Sequence, residues 1–559
     1  MIQIKYETQR LSFRFFVVML ILFFFQVLFG LLLAAQHVDP TILAGTLNFN
    51  VVRAEHTNLG LLWILCGFIG TILFIGPLMS KRELAAPGLI KFLFYALLAV
   101  VVWNVGTQAL AMKGIAGWWK GQPWLQEGLE YIEAGRAADV IILIGFAILC
   151  YVVLRTFPKR SEWNEIHWGL AIGVVALTAV WVFGMFFTER LDLQEYFRWY
   201  VVHYWVEGVW EVIHISLVGF LLVLMFDADV KSVGFAVFWG VVLVWLSGLI
   251  GNAHHYFWIG TPEFWQFWGS LFSALEPLPL IFCFWHIYLD AHQDAKPLKN
   301  FPAFAFLLGS VVLEHVGAGI LGFTMTFAIT NIWSHGTWVT MSHAHLALFG
   351  TFGMLGLSAA YYILPIIRRA TNFDQRLGKL SFWLVFIGIL GLSFGFAIGG
   401  TIQVFLYRTL GLDWFGGDIA PALVFAKGMV LIFGMVFFAG VCLLVYDLLT
   451  LGARDKAVAT GEDMAEHVLA PVGSARPLSG WETGIWMLWM WIFGMIITFD
   501  LLSFNLSTVQ QGNATIPYLM GFVGYSGLLL VSLLFVRRFL HAMQARGAPS
   551  LAAEGQSAT

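Results

Sequence analysis

Three short stretches place metal-binding side chains at spacings that build a coordination site. His254 and His255 are adjacent in GNAHHYFWIG, His343 and His345 lie two apart in HGTWVTMSHAH, and His203 stands four residues before Glu207 in VVHYWVEGVWE. Residues four apart share a helix face, so His203 and Glu207 can reach one metal ion together. Residues two apart on a helix point about 200° away from each other, so His343 and His345 face different partners and two centres flank their helix. The adjacent pair His254 and His255 completes the first site from a neighbouring helix end. Three imidazoles and a carboxylate form a transition-metal site, and the hard oxygen ligand favours iron over copper. His56, in RAEHTN, is then left to pair with a histidine of the HxH across a haem held by two imidazoles.

The elements that position these residues are membrane helices. Of 559 residues, 60% are apolar and 11% charged, against roughly a quarter charged in soluble domains, and the mean hydropathy is +0.82. These figures exclude a disulfide-stapled secreted scaffold, a disordered chain and a nucleic-acid binder. Apolar runs long enough to span a bilayer fall at 12–35, 57–79, 88–112, 139–156, 168–187, 200–226, 232–251, 266–289, 302–330, 338–366, 380–407, 420–449, 482–503 and 515–538. The expected fold is all-α, a polytopic transmembrane bundle of about 14 helices. A polar linker at 451–481 divides a twelve-helix core, 1–450, from an additional hairpin at 482–559. The first run follows Lys5, Arg10 and Arg14 and exceeds a signal-peptide core, so it is read as an uncleaved helix. Cys66, Cys150, Cys283 and Cys442 lie inside apolar runs, and with no CxxCH no haem is attached covalently.

With the N-terminus cytoplasmic, 22 Lys and Arg fall on the inner side and 7 on the outer, so the positive-inside rule orients the chain N-in and C-in. All six histidines named above then lie in the outer third of the bilayer. A single membrane histidine is usually an interhelical hydrogen-bonding residue, but six at one depth describe a metal-bearing layer. His214, eleven residues after His203, is on nearly the same face about 16 Å deeper; an interhelical hydrogen bond is the favoured reading, and an inward polar path the other. Glu314 with His315, and Lys427, are read as structural, the charged ones pairing within the bundle.

At these motifs the sequence resembles the haem-copper oxidase superfamily, and within it the NorB catalytic subunits of bacterial nitric oxide reductases. The resemblance runs over about residues 45 to 450, with Ala344 where the family usually has the glycine of HGH. It implies that His56 and His345 bind a low-spin haem b and that His343 is the axial ligand of a high-spin haem b3. His203, His254, His255 and Glu207 would hold a non-haem iron, with Glu211 and Glu276 as acids beside the active site. It further implies a calcium-binding glutamate at Glu130, with Glu133 as neighbour, and a propionate-contacting arginine at Arg53. His335 is read separately as capping the entry to the helix that bears HxH, near a propionate.

The implied activity is reduction of two nitric oxide molecules to nitrous oxide and water, a step of denitrification in a respiratory chain. The alternative is an oxygen-reducing haem-copper terminal oxidase. Many oxygen reductases carry a tyrosine where this chain has Glu207; others draw it from the next helix, but residues 232–251 contain none. Tyr204 and Tyr256 would need unusual geometry to replace it. The family's quinol-dependent members carry a hydrophilic N-terminal domain, whereas the first helix here starts within about fifteen residues of Met1. The expected partner is therefore a membrane-anchored cytochrome c subunit, NorC-like, or another electron-donor subunit. The expected location is the bacterial inner membrane, with metal sites toward the periplasm and no nucleic acid involved.

Overall fold

The computed structural model describes residues 4–115, 122–128, 131, 133–226, 229–283, 300–370, 373–413, 419–451 and 479–545. Among them there is no strand. The long helices are α1 (Glu7–Val38), α2 (Phe49–Ser80), α3 (Pro87–Met112), α4 (Arg136–Thr156), α5 (Glu165–Met185), α6 (Leu191–Met225) and α7 (Val230–Tyr256). Two shorter helices follow, α8 (Glu263–Leu275) and α9 (Pro277–Cys283). The series closes with α10 (Phe301–Met325), α11 (Trp338–Ile367), α12 (Arg376–Thr409), α13 (Val424–Thr450), α14 (Gly480–Ser503) and α15 (Thr515–Ala542). Thirteen of these are long and apolar enough to cross a membrane. The fourteenth expected span, 266–289, is represented by α8 and α9, and its remainder, like most of the 451–481 linker, lies outside the described residues.

In lipid every backbone polar group must be satisfied internally, which leaves the helix ends as the places where sequence punctuates structure. Asn48 caps α2 by accepting from the Asn50 amide, Asp229 caps α7 through Ser232, Asn300 caps α10 through Ala303 and Ser479 caps α14 through Glu482. Lys81, at φ 52°, ends α2 in the left-handed conformation.

Four helices, α2, α6, α10 and α11, are buried along most of their length, and they carry His56, the 203–211 segment, the Glu314–Leu321 segment and the HxH pair. Others turn much of their surface outward, exposing for example Phe92, Tyr95, Val102 and Leu488. Three central helices contain a wider π turn at the functional stretch: Tyr204–Trp210, Glu314–Leu321 and His345–Gly353. Such turns insert one residue into the helix and re-aim the side chains that follow.

Helix pairing in a membrane relies on close van der Waals approach, because lipid supplies no hydrophobic drive between helices. The contact of α12 with α13 shows this: a Cβ on Gly388 would sit 2.7 Å from Phe437 Cα, and one on Gly440 would sit 2.9 Å from the Val385 amide nitrogen. The C-terminal hairpin packs against α10 and α12 by the same means, Gly494 facing Ile320 and Gly521 facing Thr401 and Asp500. Arg538 joins the hairpin's two helices through Glu482 at 3.1 Å. Gly388→Val should therefore lower stability by about 1–3 kcal/mol through overpacking, read as a fall in Tm in detergent. Gly428→Ala, on the same helix pair but with open space around it, should leave Tm unchanged or slightly raised.

Candidate metal centre

His203 ends the α-helical part of α6 and Glu207 lies in the π turn that follows, with Nε2 and Oε2 2.6 Å apart. His254 and His255 come from the tight turn that closes α7. Their ring centroids lie 4.5 and 4.9 Å from that of His203, and one nitrogen of each of the three rings falls within 4.8 Å of the other two. Glu276, at the joint of α8 and α9, brings a carboxylate oxygen within 4.8 Å of both His203 and Glu207. Two glycines allow this convergence. A Cβ on Gly248 would stand 3.0 Å from Gly208 Cα, and one on Gly251 would strike Glu276 Oε1.

Orphaned and pre-oriented atoms test whether these residues suit a metal. Both ring nitrogens of His203 are buried without a hydrogen-bond partner, and so is Glu276 Oε1. The His203–Glu207 approach is therefore close without being aligned as donor and acceptor. Each unpaired buried polar atom costs about 1–3 kcal/mol, a cost that a shared cation removes for all of them together. The hydrogen bonds of the surrounding residues fix which nitrogen is free. His254 Nδ1 lies 2.6 Å from Ser273 Oγ, whose own proton goes to the Gly251 carbonyl at 2.7 Å. The serine must accept, so Nδ1 carries the hydrogen and Nε2 keeps its lone pair. His343 Nδ1 likewise donates to the Gly317 carbonyl at 2.8 Å. His255 is held by stacking flat on Trp199, centroids 4.3 Å apart and planes within 5°. The residues fit a bound metal.

The two rings of the HxH pair diverge. His343 lines the cavity that holds Glu207, His254 and His255. His345 turns away to face His56, with ring centroids 6.2 Å apart and planes 29° apart, a separation that accommodates one ion with metal–nitrogen bonds of about 2.0–2.1 Å. His345 Nδ1 donates to the Met341 carbonyl at 2.8 Å, which leaves its Nε2 available, and His56 Nδ1 donates to the Gln26 carbonyl at 2.9 Å, with Gln26 Nε2 3.3 Å from His56 Nε2. The Gln26 side chain also lies against the His56 ring, 3.1 Å from Nδ1. Gly30 on α1 is required beside it, because a Cβ there would sit 2.6 Å from His56 Cε1.

The cavity measures about 480 Å³, and its lining includes the small residues Ala318, Gly322, Ala344 and Ala347 together with His343. Glu211, one turn beyond Glu207, lines it too. Behind Glu211 stands Glu314, whose Oε1 is 3.2 Å from His214 Nδ1, and His214 Nε2 contacts Ser310 Oγ at 2.8 Å. His214 is thus an interhelical hydrogen-bonding residue, and it places a second buried acid behind Glu211 that the spacing of the motifs did not reveal.

On the outer side, Arg53 lies 4.0 Å from Glu133, which accepts from Asn58 Nδ2 at 2.8 Å. Glu130 lies outside the described residues. Nearby in the same loop, burial pushes the Glu127 carboxyl above its usual range while the Arg136 guanidinium, 3.2 Å away, pulls it back. His335 does not cap the helix of the HxH pair. Thr337 does, because its short hydroxyl reaches the Val339 amide, whereas His335 lines the cavity and its carbonyl accepts from Arg408 at 2.6 Å. Sequence reasoning also missed Ser273, the Gly317 carbonyl and Trp199, since none belongs to a motif of its own.

A polytopic helical bundle holding imidazoles with free Nε2 atoms at two adjacent sites defines a multi-pass membrane protein built to carry metal groups. The family model described as cytochrome c and quinol oxidase polypeptide I matches residues 10–425, and the chain belongs to that family. It is 30% identical over 447 residues, 79% of this chain and 93% of the relative, to a nitric oxide reductase subunit of Stutzerimonas stutzeri. It is 22% identical over 216 residues, 38% of this chain and 39% of the relative, to a cytochrome c oxidase subunit 1 homolog of Agrobacterium tumefaciens (strain T37). A solved heme-copper terminal oxidase shares the fold, with a TM-score of 0.64 at 13% identity over 88% of this chain and 91% of its own. The chain is accordingly an oxidoreductase of the haem-copper oxidase type, with haem cofactors and a metal centre. Ser273→Ala, which removes the acceptor that orients His254, should weaken metal retention about 10–100-fold, measured as metal remaining per haem after graded chelator washes.

Proposed function

We propose that the chain is the catalytic subunit of a nitric oxide reductase. The observation that carries this reading is Glu207, a carboxylate 2.6 Å from His203 within the ligand cluster, supported by the 30% identical nitric oxide reductase relative. His56 and His345 would hold a low-spin haem b, His343 a high-spin haem b3, and His203, His254, His255 and Glu207 a non-haem iron. When bound, these groups supply the two electrons and the Lewis acidity with which two NO and two protons become N₂O and water.

The chain's own residues position the reactants and the protons. The cavity between His343 and the His203 cluster offers space in which two small molecules would be held together. Its apolar arm, past Leu97, Val100 and Ile142, suits an apolar gas arriving from the bilayer. Glu207 contributes the hard oxygen that tunes the non-haem iron. Glu211 and Glu276, both at the cavity, are placed to hold protons for the departing oxygen, with Glu314 and His214 behind Glu211. The tyrosines that oxygen chemistry would call on are turned elsewhere. Neither Tyr204 nor Tyr256 lines the cavity, and the Tyr256 hydroxyl donates to the Tyr196 carbonyl at 3.3 Å.

The same reading places the chain in a bacterial inner membrane, N-in and C-in, with the metal layer toward the periplasm. A membrane-anchored cytochrome c subunit or another donor subunit would deliver electrons. Residues 1–450 would form the catalytic core and 482–559 an added hairpin. A calcium ion at Glu130 is supported by the buried carboxylate of Glu133 in the same loop.

Two measurements test the proposal. Purified, chelator-washed protein should contain iron in excess of haem b and no copper; stoichiometric copper with iron equal to haem would overturn it in favour of oxygen reduction. Glu211→Ala and Glu276→Ala should each slow NO turnover by roughly 100-fold, the scale of a lost acid–base contribution, with the haem spectrum preserved. Loss of haem from either variant would assign that glutamate a structural role instead.

A further inference from the structure

A groove of about 490 Å³ opens at the end of the bundle where α12 begins and α15 ends, on the seam between the core and the C-terminal hairpin. Its walls carry Lys379, Arg537, Arg538 and His541, and Trp383 and Trp486 are half-buried in its sides. Neighbouring groups hold the cations apart. Lys379 Nζ stands 5.0 Å over the Phe301 ring, and Arg538 is already bonded to Glu482 at 3.1 Å. Asp374 is the other carboxylate near Lys379. Arg537 and His541 remain exposed at the mouth. Among the described residues, three full cations against two acids leave the groove positive, and its remaining surface is aromatic and aliphatic.

We propose that this groove binds the phosphate headgroup of an anionic phospholipid. The two-part lining selects the ligand. Lys379, Arg537 and Arg538 suit a phosphodiester oxyanion, whereas Trp383, Trp486 and Leu534 form the apolar wall along which acyl chains run. A quinol head carries no charge and would leave the excess positive charge uncompensated. A basic pocket between transmembrane helices, at the helix ends richest in Lys and Arg, is where membrane electrostatics collects anionic lipid. The C-terminal hairpin then has a physical role, since α12 supplies Lys379 and Trp383 while the hairpin supplies Trp486, Leu534, Arg537 and Arg538, and the lipid ties one to the other. This inference is independent of which gas the enzyme reduces.

The test uses the full-length protein in nanodiscs of phosphatidylcholine, with and without phosphatidylglycerol or cardiolipin, reading Tm and the lipid retained by native mass spectrometry. Anionic lipid should be retained preferentially and should raise Tm, and inorganic phosphate should do neither. Combining Lys379→Gln with Arg537→Gln should weaken retention roughly thirtyfold, at about fivefold per basic residue near an anionic surface. The charge-preserving pair Lys379→Arg and Arg537→Lys should bind as the wild type does. Equal retention of neutral and anionic lipid by the wild type overturns the proposal without reference to any variant. So does wild-type retention by the glutamine pair, and a response to inorganic phosphate equal to that to lipid would assign the groove to a free oxyanion instead.

Discussion

Everything in this bundle answers to the cost of keeping imidazoles and carboxylates buried, close together and short of hydrogen-bond partners. His203, His254, His255, Glu207 and Glu276 crowd into a space a few ångströms across inside an apolar medium, and the His203 ring has neither nitrogen bonded. A cation seated among those atoms would offset that cost for all of them together. The fixed Nδ1 hydrogens of His254, His343 and His345 point the same way, because each leaves an Nε2 lone pair on the ring.

Meeting that constraint decides how the helices pack. The candidate ligands arrive from α2, α6, α7 and α11, and four helices bring side chains to adjacent sites only if their backbones approach closely. Glycines at 30, 208, 248, 251 and 317 stand where a Cβ would strike a ligand, a neighbouring ring, a carboxylate or a facing backbone. The π turns at Tyr204–Trp210 and His345–Gly353 begin at or immediately after a histidine of the site, and the one at Glu314–Leu321 supplies the Gly317 carbonyl that fixes His343. Three π turns therefore lie where candidate site residues are aimed off the regular helical pitch; a further one, Val404–Thr409, ends α12, and the peripheral helices α3, α4 and α13 keep ordinary pitch.

The polar groups outside the ligand set form their own layer. Glu211, Glu314, His214 and Ser310 follow one another on two packed helices, each beside the next, which is how a membrane bundle tolerates acids at this depth. The hairpin of α14 and α15 takes no part in that layer. It closes over α10 and α12 through glycines, and its basic residues gather at the far end of the bundle.

The sequence by itself determined the class of molecule and the kinds of ligand present. Apolar runs of bilayer length leave helices as the only economical backbone, and thirteen of the expected spans recur as long apolar helices. HxxxE, HH and HxH state which residue types are offered, and helical periodicity alone separates the directions of His343 and His345. Only the tertiary structure decided which ligands meet. It set His56 6.2 Å from His345, and it brought Glu276 within reach of His203 across some seventy residues of chain. The oriented tautomers of His254, His56 and His343 depend on Ser273 and on the Gln26 and Gly317 carbonyls, and the acid behind Glu211 comes from α10. None of these has a local signature, because a hydrogen bond between helices is set by how the helices cross and rotate, and that rotation is fixed by packing summed over the whole bundle rather than by any segment of it.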